Sequence, residues 1–195
     1  NNDGSIREVR RQGTYISKRS IHAKKEYAIL SKINKNSKVL VPEAISVDGD
    51  VFIMTFLKGH AVNFTNGNQE ILENQMFNAG LALGQLHQID VRELSEYLKI
   101  TYTSLSDLIM SRYEDHMAMK TQSEHIYYLQ RFSLKNYCKE NRWLLKQCKD
   151  LPAIVSRRFV HGDFCHPNII VSDEEVGIID FESAYLGYVE DDLAR

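Results

Sequence analysis

Leu72, Met76, Ala79, Leu83 and Leu86 step along the chain by four, three, four and three residues. That spacing puts all five on one stripe of an α-helix, and such a stripe has to be buried against something. It predicts a core-forming helix starting near Asn68, and the rest of the chain must supply the surface that covers it. Upstream, Ile6–Arg11 and Tyr15–Arg19 read as a hairpin turning at Gly13, and Ala44–Val47 and Val51–Phe56 as a second around Asp48-Gly49-Asp50. Between the hairpins, Tyr27, Leu30 and Ile33 recur at threes after Ser20, a helical face that Asn34 to Ser37 end. Downstream, Leu105 to about Lys120 and Glu124 to about Cys148 read as helices, and Phe159-Val160, Ile169–Val171 and Val176–Ile179 as short strands between loops. The expected class is α+β: a small, mostly β region to about Phe56, then a helical region with a short hairpin near its end.

A chain of 195 residues with 43% hydrophobic side chains can bury a core as one unit or two small lobes. Its apolar runs, such as Val51 to Met54, fall far short of the roughly 18 residues a membrane span needs, so no membrane partner is expected. The opening Asn1-Asn2-Asp3-Gly4-Ser5 has neither a basic start nor an apolar run, so no secretory signal is expected, and it carries no initiator Met. Three cysteines (Cys138, Cys148, Cys165) without a CxxC pair fit a reducing cytoplasm better than a disulfide framework. A net charge of -2 removes the usual electrostatic argument for nucleic acid. From Val171 to the end, however, eight acids face one base, Arg195. That acidic end is either a solvated face or a site for a metal or a cationic substrate.

The densest polar cluster is His161-Gly162-Asp163-Phe164-Cys165-His166-Pro167-Asn168, followed by Asp180 at the end of the Val176–Ile179 run. An Asp and an Asn five apart in a loop, with a second Asp on the next hairpin, matches a phosphoryl-transfer site of one base and two magnesium ligands. Asp163 suits the acceptor of a hydroxyl proton. Asn168 and Asp180 suit the metal, since magnesium takes hard oxygen ligands and must keep room for phosphates. A rival is a metal-dependent hydrolase, because His161, Asp163, Cys165 and His166 are all ligand types within six residues. A third class is a non-catalytic binding module that uses the acidic end for docking.

His161-Gly162-Asp163 to Asn168, Ile178-Ile179-Asp180-Phe181-Glu182 and Asp192-Leu193-Ala194 resemble the aminoglycoside phosphotransferase and choline kinase superfamily. Tyr15-Ile16-Ser17-Lys18, Lys25-Glu26-Tyr27-Ala28-Ile29-Leu30, Val41-Pro42-Glu43, Phe52 to Gly59 and Leu83-Gly84-Gln85-Leu86-His87 follow the same order and spacing. The resemblance implies a protein-kinase-like two-lobe fold, with a small β-rich nucleotide-binding N-lobe over residues 1–58 and a larger helical C-lobe over 59–195. It implies that Lys18 touches nucleotide phosphates, that Glu26 holds Lys18, and that the backbone of Thr55, Phe56 and Leu57 forms the hinge against adenine. A strand lysine facing a glutamate near the start of the next helix is also a sound way to preorganise an ammonium group for phosphate.

The chain departs from the family pattern in three places. No GxGxxG-like loop is present, and a first strand is expected to be absent. Tyr188-Val189 stand where the family has Asp-Pro, and the chain stops at Arg195 where relatives continue into acceptor-site helices, so truncation at both ends is expected. The expected activity is Mg2+-dependent transfer of the γ-phosphoryl group of ATP to a hydroxyl of a small molecule. An aminoglycoside-like amino sugar is the first choice of acceptor, with choline, homoserine or another small molecule as alternatives.

Overall fold

The computed structural model describes residues 8–63, 68–102, 104–111, 143, 146, 157–172 and 175–193. Both expected hairpins form. Strands β1 (Glu8–Gln12) and β2 (Tyr15–Arg19) pair antiparallel, as do β3 (Ala44–Asp48) and β4 (Val51–Thr55). β2 also pairs with β4, which closes a four-stranded antiparallel sheet in the order β1-β2-β4-β3. This pairing sets Lys18 opposite Phe52, so the lysine is carried on a central strand beside a wholly buried ring.

Helix α1 (Ala23–Asn36) begins slightly later than Ser20 suggests, because the Ser20 hydroxyl accepts from the His22 N–H and makes a turn first. Its buried face carries Ile29, Leu30 and Ile33, and also Glu26, which is wholly buried. Tyr27 meets Phe52 edge-on, with ring centroids 6.0 Å apart, the geometry aromatic quadrupoles favour. α1 packs against β3, β4 and the turn Phe181–Ser183. One charged side chain thereby rides into an apolar interface.

Helix α2 (Gln69–Leu86) starts where the stripe predicts: the Asn68 side chain accepts from the Glu70 N–H at 2.9 Å, satisfying one orphan donor of the first turn. Ala79, Leu83 and Leu86 are buried, with Leu72 and Met76 packed at the margin. The short strands β6 (Arg158–Val160), β7 (Ile169–Val171) and β8 (Val176–Ile178) also form. Two further strands were not legible in the sequence, β5 (His60–Ala61), which pairs with β7, and β9 (Tyr185–Gly187), which pairs with β6. Neither contains the β-branched residues that mark β6, β7 and β8, His60-Ala61 and Tyr185-Leu186-Gly187 having none.

Residues 1–99 and 158–195 form one compact unit and residues 100–157 a second. Phe52, Phe159 and Phe181 are the largest wholly buried side chains of the first unit, each contributing roughly 1.5–3 kcal/mol of transfer free energy. In the second unit residues 105–111 are helical. Within the expected helix over Glu124–Cys148 the described residues Trp143 and Lys146 are helical; the rest of it, the continuation of the first past residue 111, and the start of β1 at Ile6 lie outside the described residues. Among the described residues no helix is long and apolar enough to cross a membrane, and Cys165 is in no disulfide.

Candidate active site

Lys18 is the centre of the first group of polar residues. It is 6% exposed, and its ammonium lies 2.8 Å from Glu26 Oε2, 2.7 Å from Asp180 Oδ1 and 3.2 Å from Glu182 Oε2. Burial alone would push the lysine toward neutrality; the charges of Glu26 and Asp180, and their hydrogen bonds, outweigh it and hold the pKa above its ordinary value. Burial pushes Glu26 in the opposite sense for an acid, upward, against the pull of Lys18. Glu26 also accepts the Phe181 N–H on its other oxygen at 3.2 Å. The pairing expected of Lys18 and Glu26 is therefore present, and it extends across 162 residues of sequence to Asp180.

Asp180 has a left-handed backbone, φ 68 and ψ 68, uncommon for a residue with a Cβ. That conformation turns the chain sharply between β8 and the turn Phe181–Ser183, and the turn is secured from α1 at two points. The Phe181 N–H donates to Glu26, and Lys25 Nζ donates to the Glu182 carbonyl at 2.7 Å. A cavity of about 290 Å³ opens beside these charges, lined by Val9, Ile16, Met54 and Ile170 with Lys18 and Asp180 at its polar end. Thr55, Phe56 and Leu57 also line it. The Thr55 N–H already donates to the Glu43 carbonyl at 3.0 Å and the Phe56 N–H to the Thr14 carbonyl at 2.8 Å. The Arg11 guanidinium stacks 3.8 Å over the Phe56 ring.

The second group is the loop that follows β6. Asn168, buried in a short 3₁₀ turn behind Pro167, donates from Nδ2 to the Asp163 carboxylate and to the Asp163 carbonyl, both at 2.9 Å. The amide nitrogen is thereby committed to Asp163, and the side-chain oxygen lies on the other edge of the amide. The Asn168 carbonyl accepts the Ile179 N–H at 3.0 Å, which ties this loop to the residue before Asp180. His161 is wholly buried, its Nδ1 accepting from the Asp163 N–H at 3.3 Å and its Nε2 facing the Ile179 carbonyl at 3.0 Å. Burial lowers its pKa, the neutral ring being the form that can accept at one nitrogen and donate at the other.

Asp192 was not among the residues the sequence singled out for a role. Its carboxylate accepts the His161 N–H and the Gly162 N–H, both at 2.8 Å, and meets His87 Nε2 at 2.9 Å. One buried acid thus anchors the start of the loop and joins it to the end of α2. Gly162 needs to be glycine: its φ is +78, and a Cβ there would lie 2.3 Å from the Ser183 carbonyl oxygen. Among the described residues the acids that approach one another closely enough to share a cation are Glu26, Asp180 and Glu182. His161, Asp163, Cys165 and His166 do not form such a group, because both ring nitrogens of His161 already face backbone groups.

A model described as "Phosphotransferase enzyme family" matches residues 6–195. No curated protein sequence matches the chain. Among solved structures, a putative aminoglycoside phosphotransferase of Ralstonia eutropha superposes with a TM-score of 0.67 at 16% identity, over 97% of this chain and 62% of its own. The complex of gentamicin with APH(2")-IIa gives 0.66 at 14% identity over 95% and 64%, respectively. Macrolide 2'-phosphotransferase MphH of Brachybacterium faecium gives 0.65 at 15% identity over 98% and 70%. At such identities the likeness is one of fold, and the chain spans between 62% and 70% of these proteins' lengths.

Proposed function

We propose, from the premise that the chain belongs to the phosphotransferase enzyme family, that it is an ATP-dependent small-molecule kinase. It moves the γ-phosphoryl group to a hydroxyl of an aminoglycoside-like amino sugar; choline, homoserine or another hydroxyl compound is the alternative. The observation that carries this reading is the convergence of Lys18, Glu26 and Asp180 at the polar end of an otherwise apolar cavity. An apolar slot that ends in a fixed ammonium suits a nucleotide, whose base is apolar on its faces and whose phosphates are anionic. Solved neighbours hold gentamicin, streptomycin with ATP, and ADP with hygromycin B, which supports this donor and acceptor class.

In this reading the apolar walls at Ile16, Met54 and Ile170 sandwich the base, and the backbone at Thr55–Leu57 meets its edge. Because the N–H groups of Thr55 and Phe56 already have partners, the Leu57 N–H is the donor we assign to that edge. Lys18 holds the phosphates. A hard carboxylate on Asp180 and an amide oxygen on Asn168 fit Mg2+, which, bound there, would neutralise phosphate charge. Asp163 accepts the acceptor's hydroxyl proton at its carboxylate, with Asn168 fixing its orientation. The boundary between the two lobes falls between residues 58 and 59, and the protein works in the cytoplasm. The acceptor is a free small molecule, and the acidic end favours a cationic one.

The test is transfer of label from γ-labelled ATP to a panel of aminoglycosides, choline and homoserine, with and without Mg2+. Metal-dependent labelling of an amino sugar is expected. Labelling of choline or homoserine alone would replace the acceptor, and no nucleotide binding in any condition would overturn the reading.

A further inference from the structure

Glu182 has no part in the site as proposed, although its carboxylate is among the most buried in the first unit, 4% exposed, and stands 3.2 Å from Lys18. We propose that Glu182 is a positioning residue that takes over Lys18 when Asp180 turns to the metal. The proposal rests on the kinase reading above.

Three facts lead to it. First, the oxygen of Asp180 that Lys18 occupies, Oδ1 at 2.7 Å, belongs to the carboxylate offered to a magnesium ion. Two cations cannot both hold that carboxylate at full strength, so nucleotide–metal binding loosens the contact between Lys18 and Asp180. Second, Lys18 is 6% exposed, so those of its three donors that do not reach a nucleotide phosphate need acceptors within the protein. Glu26 can offer it one oxygen only, because the other accepts the Phe181 N–H. Third, Glu182 is stationed for the exchange. Its neighbour Phe181 is tied to Glu26 through the backbone, and its own carbonyl is tied to Lys25, so the carboxylate can receive the ammonium without rearrangement of its turn. The three acids also crowd one another, with oxygens within 4.8 Å, so drawing Asp180 toward a metal relieves repulsion as well.

Removing the charge of Glu182 therefore makes Lys18 lean harder on Asp180 and compete with the metal. The measurement is calorimetric binding of ADP to the full chain, with Mg2+ and with chelator. In Glu182→Gln the gain in ADP affinity that Mg2+ confers should shrink by about fivefold or more, the lower end of coupling between sites. Metal-free ADP should bind no more weakly than to the parent, since one negative charge beside the phosphates has gone. Glu182→Asp should fall between the two.

A merely structural role would weaken binding in both conditions and overturns the proposal, as does a parental Mg2+ gain. Repeating the substitution in a Lys18→Met background separates the remaining explanation. The exchange predicts that Glu182→Gln then changes nothing, whereas an effect that survives there means Glu182 acts on the cation directly. If the Gln variant does not fold, the Asp variant decides, and a parental Mg2+ gain in it overturns the exchange. A parent that binds no nucleotide at all removes the kinase reading and this one with it.

Discussion

Lys18 and Asp163 stand in the two halves of the candidate site and are fixed by opposite means. Lys18 is held by charge. Its partners are carboxylates delivered by α1 and by the segment after β8, from eight, 162 and 164 residues away, and Glu26 and Glu182 are largely buried while Asp180 is less so. Asp163 is held by hydrogen bonds of the backbone and of one amide, most of them within five residues. The loop that carries it is clamped in turn by Asp192 on the His161 and Gly162 N–H groups. A charge-held residue can be re-partnered when ligand arrives, because ion pairs are tolerant of direction. A residue held by short directional bonds keeps its place. In the reading proposed above, the half assigned to the nucleotide is therefore the one built to adapt and the half assigned to transfer the one that stays rigid, and the experiments below either separate the halves or merge them.

The largest separation is expected at Asp163. Asp163→Asn keeps shape and the contact with Asn168 but cannot accept a proton, so turnover should fall roughly 10²- to 10⁴-fold. Nucleotide affinity should stay near the parent's, because the lost interaction matters in the transition state. Steady-state turnover at saturating acceptor, set beside ADP titration, checks both halves of the statement. Loss of nucleotide binding instead would make Asp163 a metal ligand and erase the distinction drawn here. Asp180→Ala should show the reverse pattern: the Mg2+-dependent part of nucleotide affinity disappears while the fold survives. Asn168→Ala should weaken that dependence less, a neutral amide attracting a cation less than a carboxylate does.

Smaller effects probe the clamp. In Asp192→Ala two buried N–H groups lose their acceptor, and each unsatisfied group costs about 1–3 kcal/mol. Asp192→Asn retains an acceptor oxygen and should lose less. Denaturant midpoints at unchanged slope would measure both. A loss confined to turnover, with parental stability, would mean that the rigid half is not held from Asp192.

The two halves also differ in how far the sequence discloses them. The order of β1 to β4, α1 and α2 was legible because hairpin turns and apolar stripes are local signals, and Asn68 even marks the start of α2 by its cap. Asp163 and Asn168 are five residues apart, so their contact lies within one loop and follows from spacing. Lys18 and Glu26 gain meaning from the resemblance, since a Lys and a Glu eight apart are ordinarily surface residues. Asp192 stayed hidden as an anchor: its partners are backbone N–H groups 30 and 31 residues away, and backbone groups leave no trace in residue type. Glu182 was visible as the end of a family-like motif and as one acid in an acidic end, but without a role, because nothing local tells a buried acid from a solvated one. His87 likewise sat in a quoted motif without a partner until Asp192 was placed beside it.

The smallest effect is a pH dependence of stability that belongs to the rigid half. His161 is wholly buried, and its Nδ1 accepts the Asp163 N–H, so Nε2 carries the ring proton and donates to the Ile179 carbonyl. A second proton would have to go on Nδ1, against that N–H and without solvent, and burial accordingly lowers the folded pKa despite the charges of Asp192, Asp163 and Asp180. In the unfolded chain the same ring takes a proton near its ordinary value of 6.5. The unfolded state therefore binds more protons below that pH, and stability rises with pH through this window. The contribution is fully present above pH 6.5 and is lost as pH falls from there toward the folded value. One proton limits the slope to about 1.4 kcal/mol per pH unit. Denaturant midpoints of the parent and of His161→Gln between pH 8 and about pH 5.5 isolate it, since the other six histidines cancel in the difference. The parent should lose stability relative to the variant as the pH drops. Parallel curves would mean that His161 takes up its proton in the folded loop, and the half described here as rigid would then be one that charge can rearrange.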